Sequence, residues 1–397
     1  MSPLRAAALA TAALLVTSEA AGEPLLWRRG EVLVVQASEE VVTVEGPGRA
    51  VLPEGLAVVA RRALAEAGDH FDTLTVWMTF PDQALPGVVA YHRPVKNDVR
   101  GLGRPLFDHS AEFGSQGTLR SVVNLGVLGL GPGLAPGDDP QAWRSRLELW
   151  GQESAHRFGA YLLFRDPRSG QVSDALLGRD CAHWSRFVDT QASVHDGVAW
   201  QDNGDGSFTA TDQHSRYGDL DLYAMGLLPA AGVRPFFLID GIPGYRYPAS
   251  CADYARTLRP YDLTVHGTRV DLTIADVIAA SGERVAPPGA REDHWRELEV
   301  VLAAPGETPD SRVVQGLLER VERARLSWED WNREASGQRL QVCTRLSADC
   351  ADAGGPGGCG CDLGRRSPAP ALPPSLVLLI SLVLIVRRRC RRPLPRC

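Results

Sequence analysis

Lysine is almost missing from this 397-residue chain: Lys96 is the only one, and arginine supplies the other cations. The chain carries a net charge of -6. Residues 362–397 contribute +7, and Arg5 and Glu19 cancel near the start, so the central part stands at -13. Phosphate binding needs clustered cations, so this composition excludes nucleic acid as a partner. No Gly-x-Ser-x-Gly stretch occurs, which leaves no nucleophile elbow for a serine hydrolase. Internal repeats are missing as well, and no low-complexity tract precedes residue 351. Gly101-Leu102-Gly103 lacks the strand–turn–helix context of a nucleotide loop.

The two ends set the compartment. Arg5 precedes an apolar run from Ala6 to Val16, followed by the small-residue stretch Ser18-Glu19-Ala20-Ala21. That order predicts a signal peptide over residues 1–21 and an exported protein. Leu376 to Val386 is apolar and uncharged, and Arg387, Arg388, Arg389, Arg391 and Arg392 follow it. From Leu372 the segment is about 15 residues, or roughly 22 Å as a helix at ~1.5 Å per residue. This is short against a bilayer core of about 30 Å, and the basic cluster would stay on the cytoplasmic side. A single hydrophobic C-terminal helix with an Arg-rich end is expected over residues 372–397, suited to stop-transfer or sorting. No Leu-Pro-x-Thr-Gly sortase signal accompanies it.

Before that helix lies a Gly/Pro-rich spacer, residues 351–371, containing Cys359 and Cys361. Spacer, Cys pair, short apolar helix and Arg cluster together resemble the C-terminal sorting signal called MYXO-CTERM. The resemblance covers about 45 residues. It implies a sorting protease that cuts near the cysteines, with Cys359 or Cys361 as the anchor. The protein would then reside at the cell surface or outer membrane, held there by its tail. Eight cysteines in an exported chain make disulfides plausible. Cys343 with Cys350, and Cys181 with Cys251, are the expected pairs.

Residues 22–350 remain for the ectodomain, enough for one large domain or for two lobes divided near residue 165. Glu31–Val35 and Val41–Val44 read as strands. Leu56–Ala67 reads as a helix with Leu56, Val59, Ala60, Ala63 and Leu64 inward. Phe71–Phe80, Gly87–His92 and Leu119–Leu125 are further strands. Beyond Pro229 come strands at Phe236–Ile239 and Leu298–Ala303, and helices over Leu272–Ala280 and Asp310–Ala335. In the last helix Val313, Leu317, Leu318, Val321, Ala324 and Leu326 are expected inward. The expected class is α+β, with a mixed-sheet N-terminal lobe, a central helix and a mainly helical C-terminal lobe.

The central helix should begin near Pro140 or Gln141, with Trp143, Leu147, Trp150, Ser154 and Phe158 at helical spacing. It ends in Gln152-Glu153-Ser154-Ala155-His156, one letter from His-Glu-x-x-His. In that motif residues i and i+4 share a helix face and two imidazoles hold zinc. The Glu between them takes a proton from the zinc-bound water. Glu153 therefore stands at the catalytic-base position, His156 at the second ligand position, and Gln152 where the first imidazole belongs. A neutral amide oxygen is the weaker zinc donor. Gly159 falls where an extended motif turns, but Leu162 fills its third ligand position. The third ligand is expected at His183, with Asp221 or Asp219 in reserve and Met225 beneath the pocket.

Four blocks between residues 88 and 230 resemble a group of exported bacterial proteins whose helix reads like His-Glu-x-Gly-His-Arg-Trp-Gly-Ala. They are Arg93–Gly101, His156–Tyr161, Ala182–Ser185 and Leu220–Leu227. The resemblance implies a zincin-like fold and zinc as cofactor, and the Gln152 departure singles this member out. Two functions follow: a surface zinc metallopeptidase acting on peptide or protein substrates, degenerate at Gln152, or a non-catalytic binding module on the same scaffold. Glu153 and His156 could also bind metal together with His183 while Gln152 orients a water. Asp221 could equally cap the helix after it. Asp202-Asn203-Gly204-Asp205-Gly206 has the composition of a calcium loop but not the alternating carboxylates, and reads as a hairpin turn.

Overall fold

The structure, a computed structural model, describes residues 26–45, 48–85, 87–131, 139–243 and 264–347. The expected signal peptide, Cys251, Cys350, the spacer with Cys359 and Cys361, and the tail helix lie outside the described residues. Cys181 and Cys343 lie inside and are not free thiols. Their expected partners lie outside, so neither pairing is described. Among the described residues no helix is long and apolar enough to cross a membrane.

The protein is α+β, with one mixed sheet at its centre. The strands are β1 (Leu26–Arg29), β2 (Val32–Gln36), β3 (Thr73–Met78), β4 (Tyr91–Pro94), β5 (Ser121–Gly126), β6 (His294–Ala303) and β7 (Gln341–Cys343). Their order is β1-β2-β6-β3-β5-β4, with β7 parallel to the start of β6. β2, β6, β3 and β5 run parallel, and antiparallel β1 and β4 flank them. Every residue of β3 is buried, because the sheet is covered on both faces.

Among the described residues five α-helices accompany the sheet: α1 (Gly55–Ala67), α2 (Pro140–Ala155), α3 (Asp219–Met225), α4 (Ile274–Ser281) and α5 (Arg312–Ala335). α1 covers one face, packing Leu56, Val59 and Ala63 with Leu33, Leu74, Val122 and Val300. α2 and α5 cover the other, where Leu147, Trp150, Leu317 and Trp328 pack with Val34, Trp77, Val123 and Val301. In α5 the buried stripe is Val314, Leu317, Leu318, Val321, Ala324, Trp328 and Trp331. The expected inward Val313 and Leu326 are exposed. Trp328 and Trp331 fix the phase of that face, which a count of aliphatic residues alone misjudges.

The C-terminal half is not mainly helical. β6 belongs to it, yet lies between β2 and β3 in the sheet begun by the N-terminal half. Described residues between Ala160 and Val277 supply a third core around Trp184, Phe208, Tyr223 and Phe237, framed by short strand pairs. One is the hairpin Val198–Asp202 with Ser207–Gln213. In its turn, Asp205 Oδ1 accepts from Ser207 N at 2.9 Å and Asp202 Oδ1 from Gly204 N at 2.9 Å. Both carboxylates thus serve the turn itself.

β6 also buries two acids beneath α2 and α5. Glu297 accepts hydrogen bonds from Trp150 Nε1 (3.1 Å), Trp328 Nε1 (2.8 Å) and the Thr75 hydroxyl. Glu299 accepts from Trp77 Nε1 at 2.7 Å. Burial raises both carboxyls above their ordinary range.

Candidate functional site

α2 is positioned at both ends by local chemistry. Asp139 caps it, its carboxylate accepting from Gln141 N at 3.2 Å, and Pro140 fits the first turn, where no amide partner is needed. Gly151 lets the helix lie against α5, since a Cβ there would sit 2.2 Å from the Trp331 ring. The helix ends at Ala155, so His156 is its C-cap residue.

Three further imidazoles surround His156. The ring of His183 lies 4.7 Å from it, that of His195 4.7 Å and that of His92 6.3 Å. The expected convergence of His156 with His183 is therefore present. His92, on β4, and His195, before the Val198–Asp202 strand, carry no spacing motif, so the sequence reading passes over both. Gly159 earns its place through His195, whose ring would lie 3.3 Å from an added Cβ.

Three of the four imidazoles are oriented by backbone carbonyls, and His92 Nε2 has no hydrogen-bond partner among the described residues. His156 Nδ1 donates to Gly159 O at 3.3 Å, and His183 Nδ1 to Arg179 O at 3.1 Å. His195 Nε2 donates to Gln152 O at 3.2 Å, and its Nδ1 lies 3.5 Å from Asp221 Oδ1. Burial, then the neighbouring imidazoles, holds His156 well below the ordinary histidine range. Burial brings His183 down to about 4 and His92 down to about 3. These three rings are neutral at physiological pH.

Gln152 fills the gap left by the absent first imidazole. In one orientation its Nε2 donates to the His183 Nε2 lone pair at 3.3 Å. With the amide turned over, Oε1 accepts from Arg179 Nη2 at 3.3 Å and Nε2 donates to Val194 O at 3.3 Å. Oε1 then faces His183 Nε2, which must carry a proton. A neutral imidazole cannot supply that proton while also donating from Nδ1 to Arg179 O. The first orientation suits His183, and the second suits Arg179.

Glu153 is buried and makes no hydrogen bond among the described residues. Burial pushes its carboxyl up to about 7, opposed by the nearby Arg179 cation. Arg179 itself is paired to Asp196, Nε to Oδ2 at 2.6 Å. Both residues escaped the sequence reading as site components.

The remaining candidates are engaged elsewhere. Asp221 Oδ2 accepts from Gly218 N at 2.8 Å, capping α3, and Oδ1 accepts from Trp184 Nε1 at 2.8 Å. Its role is to cap the helix and to fix Trp184 beside His183, not to ligate. Asp219 is paired to Arg234 at 2.7 Å. Met225 ends α3 within the core that holds Trp150 and Phe158.

A zinc centre needs three or four donors aimed at one point. His156 Nε2 is available, but His183 Nε2 faces the Gln152 amide, and both nitrogens of His195 face other groups. Among the described residues no group of three or more His, Cys, Asp or Glu side chains could hold a metal ion. The donor set does not fit zinc. What the arrangement offers is a close-packed imidazole cluster beside a protonatable carboxyl and a guanidinium.

No protein family, curated protein or solved structure matches the chain.

Proposed function

We propose that this is an exported, surface-held protein on a zincin-like scaffold, whose degenerate metallopeptidase-like centre holds peptide segments without cutting them. The observation that carries this reading is the contact of Gln152 with His183 at 3.3 Å. His183, expected from the sequence as the third ligand, packs 4.7 Å from His156, and this supports the zincin-like reading. An amide meets it where an imidazole and a metal would stand, so the ancestral water-activating device is missing. The tail, by its resemblance to a sorting signal, supports the surface location. A second reading, a working peptidase, draws on Glu153, whose carboxyl near 7 has the proton affinity of a general base.

Zinc content and casein cleavage by the purified full chain separate the two. Substoichiometric zinc and no cleavage are expected. One tightly held zinc per chain with cleavage would establish the peptidase instead. Gln152→His should restore the missing donor and raise zinc affinity about tenfold or more, roughly 1.4 kcal/mol. Unchanged affinity in that variant would argue against a zincin ancestry for the cluster.

A further inference from the structure

Beside the imidazole cluster lies a cavity of 330 Å³ lined by Arg93, Pro94, Arg104, Phe107, His109, Glu112 and Phe113. Arg104 enters it from the glycine-punctuated loop that the motif reading leaves unexplained. Gly103 has φ +76°, and a Cβ on it would sit 1.9 Å from Tyr161 O. Only glycine permits this approach, which presses the loop onto the segment following α2. The same contact seats the Arg104 guanidinium over the Tyr161 ring at 4.6 Å and the Phe107 ring at 4.8 Å. Tyr161 in turn donates from its hydroxyl to His156 O at 2.9 Å. Arg104 thus connects the cavity, through Tyr161, to the backbone of His156.

Among the described residues neither Arg93 nor Arg104 is paired with a carboxylate. Of the other arginines nearby, Arg120 is paired with Asp98 and Arg157 with Asp72 at 3.7 Å, while Arg61 donates to the backbone carbonyl of Glu112. Two unpaired guanidiniums in one concavity of an acidic molecule are a recognition device, because a planar fork matches a carboxylate in two parallel hydrogen bonds. Ring stacking occupies the faces of Arg104 and leaves its N–H edge for such a partner. Phe107, Phe113 and Pro94 add apolar wall. Glu112, whose Oε1 lies 3.1 Å from His109 Nδ1, places a negative charge at the same cavity and disfavours a dianionic phosphate.

We infer that Arg93 and Arg104 form a carboxylate-recognising subsite for an acidic or C-terminal group of a peptide whose neighbouring residues run toward the His156 cluster. The inference rests on the reading of the centre as a peptide-holding site and gives that site its ligand chemistry. Calorimetric titration of the purified full chain tests it with four probes. They are acetyl-Gly-Gly-Phe with a free carboxylate, the same peptide as its amide, acetyl-Gly-Glu-Phe amide, and inorganic phosphate.

The free carboxylate should bind at least tenfold more tightly than its amide, and Arg104→Gln should remove that advantage. Arg93→Gln, at an exposed position with no structural partner, should weaken binding several-fold without altering thermal unfolding. Arg104→Lys should not restore wild-type affinity, since lysine lacks the fork. Stronger binding of the Glu-containing amide than of the plain amide would place the recognised group on a side chain. Stronger binding of only the free acid would place it at a C-terminus. Equal binding of acid and amides, or phosphate binding with the same arginine dependence, would overturn the subsite. Peptide binding that survives both arginine substitutions would overturn it while leaving the peptide-holding reading intact. No binding by any peptide would overturn both.

Discussion

At the scale of single residues, the centre is a contest over protons. His92, His156 and His183 are neutral because burial removes them from water, and Glu153 is held toward its protonated form for the same reason. The two kinds of shift act on stability in opposite directions with pH. Glu153, at about 7 folded against 4.5 when free, weighs nothing below pH 4.5 and destabilises the fold progressively as pH rises from 4.5 to 7, by up to about 3 kcal/mol, with no further loss above that. The histidines, lowered from 6.5, contribute stability fully above that value and lose it as pH falls toward 4. Glu153→Gln should therefore be more stable than the parent at pH 8, by as much as about 3 kcal/mol, and nearly equal to it at pH 4.5. Urea unfolding at the two pH values reads this directly, and the same difference at both would sink the account. Among these residues, Gln152, Glu153, His156 and His183 were legible from spacing on one helix and from one neighbouring block. His92, Arg179 and the adjacent His195 and Asp196 were not, because they lie on strands and loops without a repeated interval to mark them.

At the scale of elements, α2 depends on its neighbour as much as on its own pattern. Gly151 should be a poor helix residue, and alanine there would ordinarily gain about 1 kcal/mol. Here the Trp331 ring stands 2.2 Å from where the new methyl would go, inside a stack in which Trp150, Trp328 and Trp331 follow one another at 4.4 and 5.3 Å. Gly151→Ala should therefore destabilise by about 1–3 kcal/mol, the usual range for overpacking. A rise in melting temperature for this variant would show that α2 and α5 can separate without penalty. The tryptophan stack itself is anchored beneath by Glu297, which takes the indole N–H groups of Trp150 and Trp328. Most of the elements were readable as periodic apolar runs. The exceptions are instructive: β4 (Tyr91–Pro94) begins four residues after the expected Gly87, and the apolar Val88 and Val89 before it are exposed.

At the scale of the whole molecule, β6 closes the structure. It pairs with β2 over Glu299–Ala303 and with β3 over Glu297–Leu302, so the sheet has a gap at its middle until residue 303 is made. Such parallel, distant pairing pays its loop entropy before it returns any contact. A chain of residues 22–290 should show no cooperative thermal transition by circular dichroism, whereas residues 22–350 should. A cooperative transition in the shorter chain would mean that β2 and β3 can pair without the strand between them. The same topology places β4 with His92 and α2 with His156 on one face of the sheet, and the third core delivers His183 and His195 onto it.

What the sequence determined alone was the local chemistry: which runs form helices and strands, where α2 begins, and that one turn of it carries an acid and an imidazole. Those properties depend on neighbours a few residues apart, and the letters display them. Only the tertiary structure decided that Gln152 meets His183, that four imidazoles gather, and that Arg104 stands unpaired beside them. Each of these joins segments tens to hundreds of residues apart, brought together by burial of apolar faces that leaves no trace in local spacing.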